Sequence, residues 1–152
     1  MAAIPPDLPI RPFPGAFPLG ELVCPPNAAF QPQRDALAQG RLVFQVCGDC
    51  GRWRGLVAPV CPFCGGRSAS WAASQGSGRV VSWVRYHRAY LDAFKPLVPY
   101  VVLCVELDEG VRIFGRLARV EGDPVIGMRV SAIIERWEEG GHAPAFVLAG
   151  EH

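Results

Sequence analysis

Charged side chains are scarce in this sequence, and neither sign is in clear excess. They make up 19% of the residues, and 15 basic side chains stand against 14 acidic ones, for a formal net charge of +1. Proteins that bind nucleic acids usually carry a basic excess or a basic stripe along one face. The composition therefore argues against nucleic acid as the main partner, and we expect none.

Long apolar runs are missing as well. No run approaches the ~20 residues that a membrane-spanning helix needs, and the first residues show no basic stretch followed by an apolar one, as a secretory signal would. We therefore expect no membrane partner and a cytoplasmic location. Cysteines stay reduced in that compartment, so paired cysteines indicate metal ligands before disulfides.

The familiar catalytic motifs are also absent. The sequence has no HExxH, no phosphate-binding loop, no GxGxxG and no Ser–His–Asp set. The three histidines are His87, His142 and His152, and no neighbouring base marks Cys24 or Cys104 as a nucleophile. We expect no catalytic residues in this chain.

What the sequence does contain is two CxxC pairs with ten residues between them. Two residues between cysteines let both thiolates reach one ion, and the glycine after each pair allows a tight turn. Four thiolates leave no open coordination position, which is typical of a structural site. We predict a structural Zn²⁺ in a rubredoxin-like ribbon, although the same sulfur set also suits iron. The predicted ligands are Cys47, Cys50, Cys61 and Cys64.

The chain divides into three segments of different sequence character. Residues 1–40 hold a proline-rich extended arm and a short helix, predicted for 32–39. Residues 41–77 form the ribbon and end in a small-residue linker at 68–77. Between 78 and 152, alternating apolar residues predict five short antiparallel strands. Because closure removes exposed strand edges, we predict a mainly β fold with a C-terminal five-stranded OB-fold barrel.

One stretch of the predicted barrel, residues 85–102, mixes cations with aromatic rings. Such a mixture suits a phosphorylated, partly apolar ligand such as coenzyme A, with charges for the phosphates and rings for the adenine or the pantetheine. The alternative is a barrel loop whose rings pack in the core. The candidate CoA-binding residues are Arg85, Tyr86, His87, Arg88, Phe94, Lys95 and Tyr100.

Taken in order, the motifs resemble one known family. The order CxxCG, CPxCG, GxGxVxSW and VELDEGVR, within residues 28–146, resembles the zinc-ribbon/OB-fold proteins of domain-of-unknown-function family 35. The resemblance implies an accessory subunit that joins a thiolase-like catalytic subunit in a hetero-oligomer, which would be a β-ketothiolase, a retro-aldolase or an acyltransferase. It also implies that the partner supplies the catalytic groups and that acyl-CoA or CoA sits at a shared site.

The resemblance further suggests which surfaces meet the partner. The N-terminal helix and the ribbon are implied to dock on it, and Glu109 and Arg112 are implied to brace a hairpin that also contains Asp108 and Gly110. The proline-rich arm is longer than the usual lead-in to the helix, and we expect it to wrap the partner. The candidate interface residues are Phe13, Phe17, Leu19, Phe30, Leu37, Glu109 and Arg112.

Two other functions remain open at this point. A zinc ribbon joined to an OB barrel is also a nucleic-acid-binding architecture, although the near-zero net charge and the acidic hairpin argue against it. The second open function is an independent acyl-CoA thioesterase or similar enzyme, and the lack of a nucleophile–base set in the sequence argues against it. Binding of single-stranded RNA or DNA, or hydrolysis by the isolated chain, would favour one of these over the accessory subunit.

Overall fold

The computed structural model describes residues 7–14, 28–119, 121–137 and 141–149. These parts of the chain hold one short α-helix and two β-sheets, one of three strands and one of six. The predicted mainly β fold is therefore confirmed. Within the described residues, no helix has the length and apolar character needed to cross a membrane.

The helix, α1 (Gln31–Ala38), follows a 3-10 turn at Ala28–Phe30 and lies one residue away from its predicted position. Pro32 occupies the first turn, where its missing N–H has no intrahelical partner to lose. Gly40 follows the helix with a φ of 75°, a conformation that favours glycine. Ala36 and Leu37 are buried, so this side of the helix faces the core.

The three-stranded sheet forms the ribbon. Its central strand β2 (Val43–Cys47) pairs antiparallel with β3 (Trp53–Arg54) on one side and with β4 (Ala69–Ala73) on the other. The prediction of a linker at 68–77 is therefore wrong over β4. Alanine and serine have weak strand preferences, and β4 forms because its backbone supplies hydrogen-bond partners for the second edge of β2.

The six-stranded sheet contains the predicted barrel. Its five strands are β5 (Ser77–Tyr86), β6 (Tyr100–Leu107), β7 (Arg112–Leu117), β8 (Arg129–Arg136) and β9 (His142–Leu148). β5 pairs antiparallel with β6 and β8, β6 with β7, and β8 with β9, and a short parallel pairing of β7 with β9 closes the barrel. This arrangement confirms the five-stranded OB-fold.

The barrel needs a glycine where β7 meets β9. A Cβ atom at Gly115 would lie 2.8 Å from the ring of Phe146 and 2.9 Å from the carbonyl oxygen of Pro144. A glycine inside a strand often marks such a close approach. Gly115 is thus a site of close packing between the two strands.

The described part of the proline-rich arm lies on the chain's own barrel. β1 (Ile10–Pro12) pairs in parallel with β8 at the edge of the sheet, as expected of proline, which is confined to edge strands. Phe13 follows and is only 8% exposed, with its ring centroid 6.1 Å from that of Trp137 and 5.7 Å from that of Phe94. Residues 15–27 lie outside the described residues, so wrapping of a partner by that part stays a prediction.

One hydrophobic core serves the helix, the ribbon and the barrel together. Leu37 of α1 and the ribbon residues Leu42 and Phe44 pack in the same buried cluster as the barrel residues Leu103 and Phe146. A disturbance of the ribbon therefore reaches the barrel through direct packing. The boundaries predicted at residues 40 and 77 stay a prediction.

Candidate metal centre and aromatic face

The structure brings the four predicted cysteine ligands together. Their sulfur atoms all lie within 4.8 Å of one another, with Cys47 and Cys64 at 3.6 Å and Cys50 and Cys61 at 3.7 Å. Zinc at the centre of a sulfur tetrahedron, with Zn–S distances of about 2.3 Å, requires sulfur–sulfur distances of about 3.8 Å. The sulfur geometry therefore fits a zinc ion.

The two CxxC turns repeat the same backbone pattern. The N–H of Gly51 donates to the carbonyl of Cys47 at 2.9 Å, and the N–H of Gly65 donates to the carbonyl of Cys61 at 3.0 Å. Both glycines have positive φ, 70° and 74°, which glycine adopts without steric cost. The glycine after each cysteine pair is thus required by the turn that aims the sulfurs at one point.

The four ligands differ in burial. Cys47 and Cys61 are each 2% exposed, whereas Cys50 and Cys64 lie at the surface. All four positions of the tetrahedron come from this chain, which leaves none for a substrate or water. A metal held here supports the fold rather than a reaction.

Arg54 is a residue of this centre that the sequence analysis did not find. It is 2% exposed and donates hydrogen bonds to the carbonyls of Ala58 at 3.2 Å and Ser68 at 3.0 Å. Its positive charge is also the largest cause that lowers the pKa of the Cys47 thiol, to about 6. Strand β3 has only two residues, so no alternation in the sequence signals that Arg54 points inward.

Three of the predicted CoA-binding residues form one aromatic group, which we call the aromatic face: Tyr86, Phe94 and Tyr100. Tyr86 and Tyr100 are cross-strand partners whose rings stack 4.9 Å apart at 12°. Phe94 lies 5.1 Å from the ring of Tyr100. Each side chain is half-buried, and burial raises the pKa of Tyr100. The rings pack on one another and keep part of their surface open.

The four predicted cations around this face differ in whether a carboxylate already pairs with them. Arg85 donates to Asp123 at 2.6 Å and its side chain is only 19% exposed, and Lys95 pairs with Asp92 at 2.7 Å. His87 and Arg88 are exposed, and Arg88 lies 5.9 Å from the ring centre of Tyr90. Only His87 and Arg88 lack a carboxylate partner among the described residues.

The predicted interface residues are scattered in the structure. Phe13 and Leu37 are each 8% exposed because the chain's own core covers them, which leaves little of either for a partner. Phe30 is 38% exposed. Phe17 and Leu19 lie outside the described residues.

Glu109 and Arg112, the residues implied to brace the hairpin, do not pair with each other. Arg112 Nε donates to Glu106 at 2.8 Å, and Glu109 accepts the N–H of Gln75 at 2.8 Å. Asp108 and Arg129 also hold the hairpin, through two hydrogen bonds of 2.6 and 2.8 Å. Arg129 thereby holds the pKa of Asp108 below its usual value.

Comparison with known proteins identifies the two parts of this architecture. Residues 34–69 match the family model of the ChsH2 rubredoxin-like zinc ribbon domain, and residues 71–135 match that of the ChsH2 C-terminal OB-fold domain. A DUF35 domain-containing scaffold protein of Methanocaldococcus jannaschii is 33% identical over 97 residues, which cover 62% of this chain and 68% of that protein. The chain belongs to the DUF35 family.

Other similar proteins carry more specific descriptions. The DUF35 chain is 38% identical to a probable enoyl-CoA hydratase alpha subunit of Thermomonospora curvata over 97 residues. These residues make up 63% of this chain and only 30% of the length of that relative. Among solved structures, one described as Ltp2-ChsH2(DUF35) aldolase matches with a TM-score of 0.73 and 33% identity. The match covers 82% of this chain and 97% of the other.

The ribbon match and the sulfur geometry agree on the cofactor. The matched zinc ribbon domain contains all four cysteines, and the structure groups their sulfurs for one ion. The predicted structural zinc is confirmed, and Cys47, Cys50, Cys61 and Cys64 would hold it.

Proposed function

We propose that this DUF35 chain is a non-catalytic accessory subunit of a thiolase-superfamily complex that acts on acyl-CoA. The observation that carries the proposal is its similarity, over 97% of the other chain, to a chain of the Ltp2-ChsH2(DUF35) aldolase structure. The name of the relative from Thermomonospora curvata, a probable enoyl-CoA hydratase alpha subunit, supports acyl-CoA as the substrate class.

The geometry of the described residues supports an accessory role. The closed four-thiolate centre offers a substrate no coordination position. Three acidic side chains of the hairpin are engaged: Asp108 pairs with Arg129, Glu106 pairs with Arg112, and Glu109 accepts the N–H of Gln75. In this proposal the thiolase-like subunit supplies the nucleophile and the acid–base groups, while the DUF35 chain supplies fold, docking surface and a place for CoA.

The first test is association with the catalytic subunit. We expect the tagged full chain, co-expressed with a thiolase-like protein of the same organism, to co-elute with it and to turn over no acyl-CoA alone. Phe30→Asp should weaken the association at least tenfold, because it places a charge on an exposed apolar residue at the start of the predicted docking helix. Size-exclusion chromatography and calorimetric titration measure both effects.

A matched control is available in the turn before β8. Ile126 is 60% exposed in the turn before β8 and lies outside the predicted interface, so Ile126→Asp should leave the association unchanged. Turnover of an acyl thioester by the isolated chain, or failure of the two proteins to associate, would overturn the accessory role.

The second test concerns CoA itself. We propose that the stacked Tyr86 and Tyr100 receive the adenine and that Arg88 and His87 meet phosphate groups. Arg88→Ala should weaken CoA binding about tenfold, because a hydrogen bond to a charged group contributes about 1.5 kcal/mol, whereas the exposed Arg41→Ala should not. Calorimetric titration of CoA into the purified chain measures the difference.

The same titration distinguishes CoA binding from the alternative function, which is binding of single-stranded nucleic acid. The OB-fold and the ring stack would also suit single-stranded nucleic acid. Tighter binding of a single-stranded oligonucleotide than of CoA would favour the nucleic-acid module, and equal CoA affinity of Arg88→Ala and the unaltered chain would remove the aromatic face from the CoA site.

A further inference from the structure

Arg54 is a buried cation for which the described residues supply no carboxylate. It is 2% exposed, and its acceptors are the backbone carbonyls of Ala58, Gly66 and Ser68. A buried charge is costly unless an opposite charge compensates it. The other buried charged residue of the described chain, Glu135, pairs with Arg116 and not with Arg54.

The compensating charge comes from the metal centre. Four thiolates and one divalent zinc ion together carry a net charge of about −2, from four charges of −1 and one of +2. The pairing of Gln45 with Arg54 places Arg54 beside the strand that ends at Cys47. There its guanidinium donates to the carbonyl of Ser68 at 3.0 Å, and the same carbonyl accepts the N–H of Gly48, the residue after Cys47, at 3.0 Å.

The same side chain also holds the second CxxC turn. Ala58 precedes Cys61, and Gly66 and Ser68 follow Cys64, so the three carbonyl acceptors of Arg54 lie on both sides of this turn. Arg54 therefore reaches the first pair through the shared carbonyl of Ser68 and holds the second pair through the backbone on both sides of its turn. One planar guanidinium can make these bonds at once because its five donors point in fixed directions.

We propose that Arg54 is a positioning residue of the zinc centre, which offsets its negative charge and fixes the two cysteine turns at the spacing that zinc requires. Hydrogen-bond partners of metal ligands commonly change metal affinity by 10–100-fold when they are replaced. In this centre the charge and the hydrogen bonds both come from one side chain that is not a ligand.

The test compares two Arg54 variants and one control variant of the full zinc-loaded chain. Arg54→Met removes the charge and the hydrogen bonds and should lower zinc affinity 10–100-fold. Arg54→Lys keeps the charge and loses the planar fork, so it should retain affinity between that of Arg54→Met and that of the unaltered chain. Competition with a chromophoric chelator gives the affinities, and Co²⁺ replacement gives the thiolate-to-metal charge-transfer band as a second readout.

Gln45→Ala is the matched control. Its side-chain oxygen accepts the N–H of Ala58 at 3.1 Å, so this variant loosens the same loop without changing the charge, and we expect zinc affinity within about threefold of the unaltered chain. An unchanged affinity in Arg54→Met would overturn the proposal. So would equal losses in Arg54→Lys and Arg54→Met, which would show that the charge has no role. Should Arg54→Met fail to fold, Arg54→Lys decides alone: a loss of tenfold or less supports the charge, and a 100-fold loss contradicts it.

Discussion

Replacing Cys47 and Cys61 together by serine is expected to abolish zinc binding and to remove the cooperative unfolding transition of the whole chain. Structural zinc contributes about 10–16 kcal/mol in zinc-finger peptides, which matches or exceeds the 5–15 kcal/mol of net stability typical of a domain. Both sulfurs are buried, so the variant also leaves two hydroxyl groups in the core of the ribbon. Thermal unfolding followed by circular dichroism, with zinc content measured by mass spectrometry, tests the prediction.

The loss should extend beyond the ribbon because the ribbon and the barrel share a core. Phe44, three residues before Cys47, packs in the same cluster as Leu103 and Phe146 of the barrel. Cys104→Ser is the control, since Cys104 lies on β6 outside the metal centre, and we expect it to keep its zinc. A zinc-free double variant that still unfolds cooperatively at an unchanged Tm would contradict both the structural role of the metal and the shared core.

The features that the sequence predicted well depend on residues that lie close together in the chain. The CxxC spacing fixes which sulfurs can meet, because it acts through a turn of four residues. The alternation along β6 places Val101, Leu103 and Val105 inside the barrel, because successive side chains of a strand point to opposite faces. Such local rules predicted the metal ligands and the five barrel strands.

The features that it missed depend on residues far apart in the chain. Strand β4 forms because β2 lies beside it, although four of its five residues are alanine or serine, which have weak strand preferences. Arg85 looked available for a phosphate, yet Asp123, 38 positions away, engages it. Arg54 is buried and donates to the carbonyls of Ala58 and Ser68, which its local sequence does not predict. Composition and spacing carry no information about such pairings, since each is decided by tertiary contact.

The second large effect is expected at the ion pair of Arg116 and Glu135. Their side chains are 13% and 6% exposed, and Arg116 also lies over the ring of Phe13 from the N-terminal arm, 5.9 Å from its centre. Glu135→Leu should lower the free energy of unfolding by about 3–5 kcal/mol, because it leaves a buried guanidinium without its counter-charge. Urea unfolding followed by tryptophan fluorescence measures the change.

Two comparisons show whether the loss comes from the orphaned charge. The pair of Arg112 and Glu106 has the same chemistry at the surface, with side chains 64% and 45% exposed, so Glu106→Leu should cost no more than about 1 kcal/mol. The double variant Arg116→Met with Glu135→Leu removes both charges and should recover most of the stability that Glu135→Leu loses. If the double variant is as unstable as Glu135→Leu, the loss comes from packing under β1 and not from electrostatics. In that case the arm, rather than the ion pair, holds this edge of the barrel.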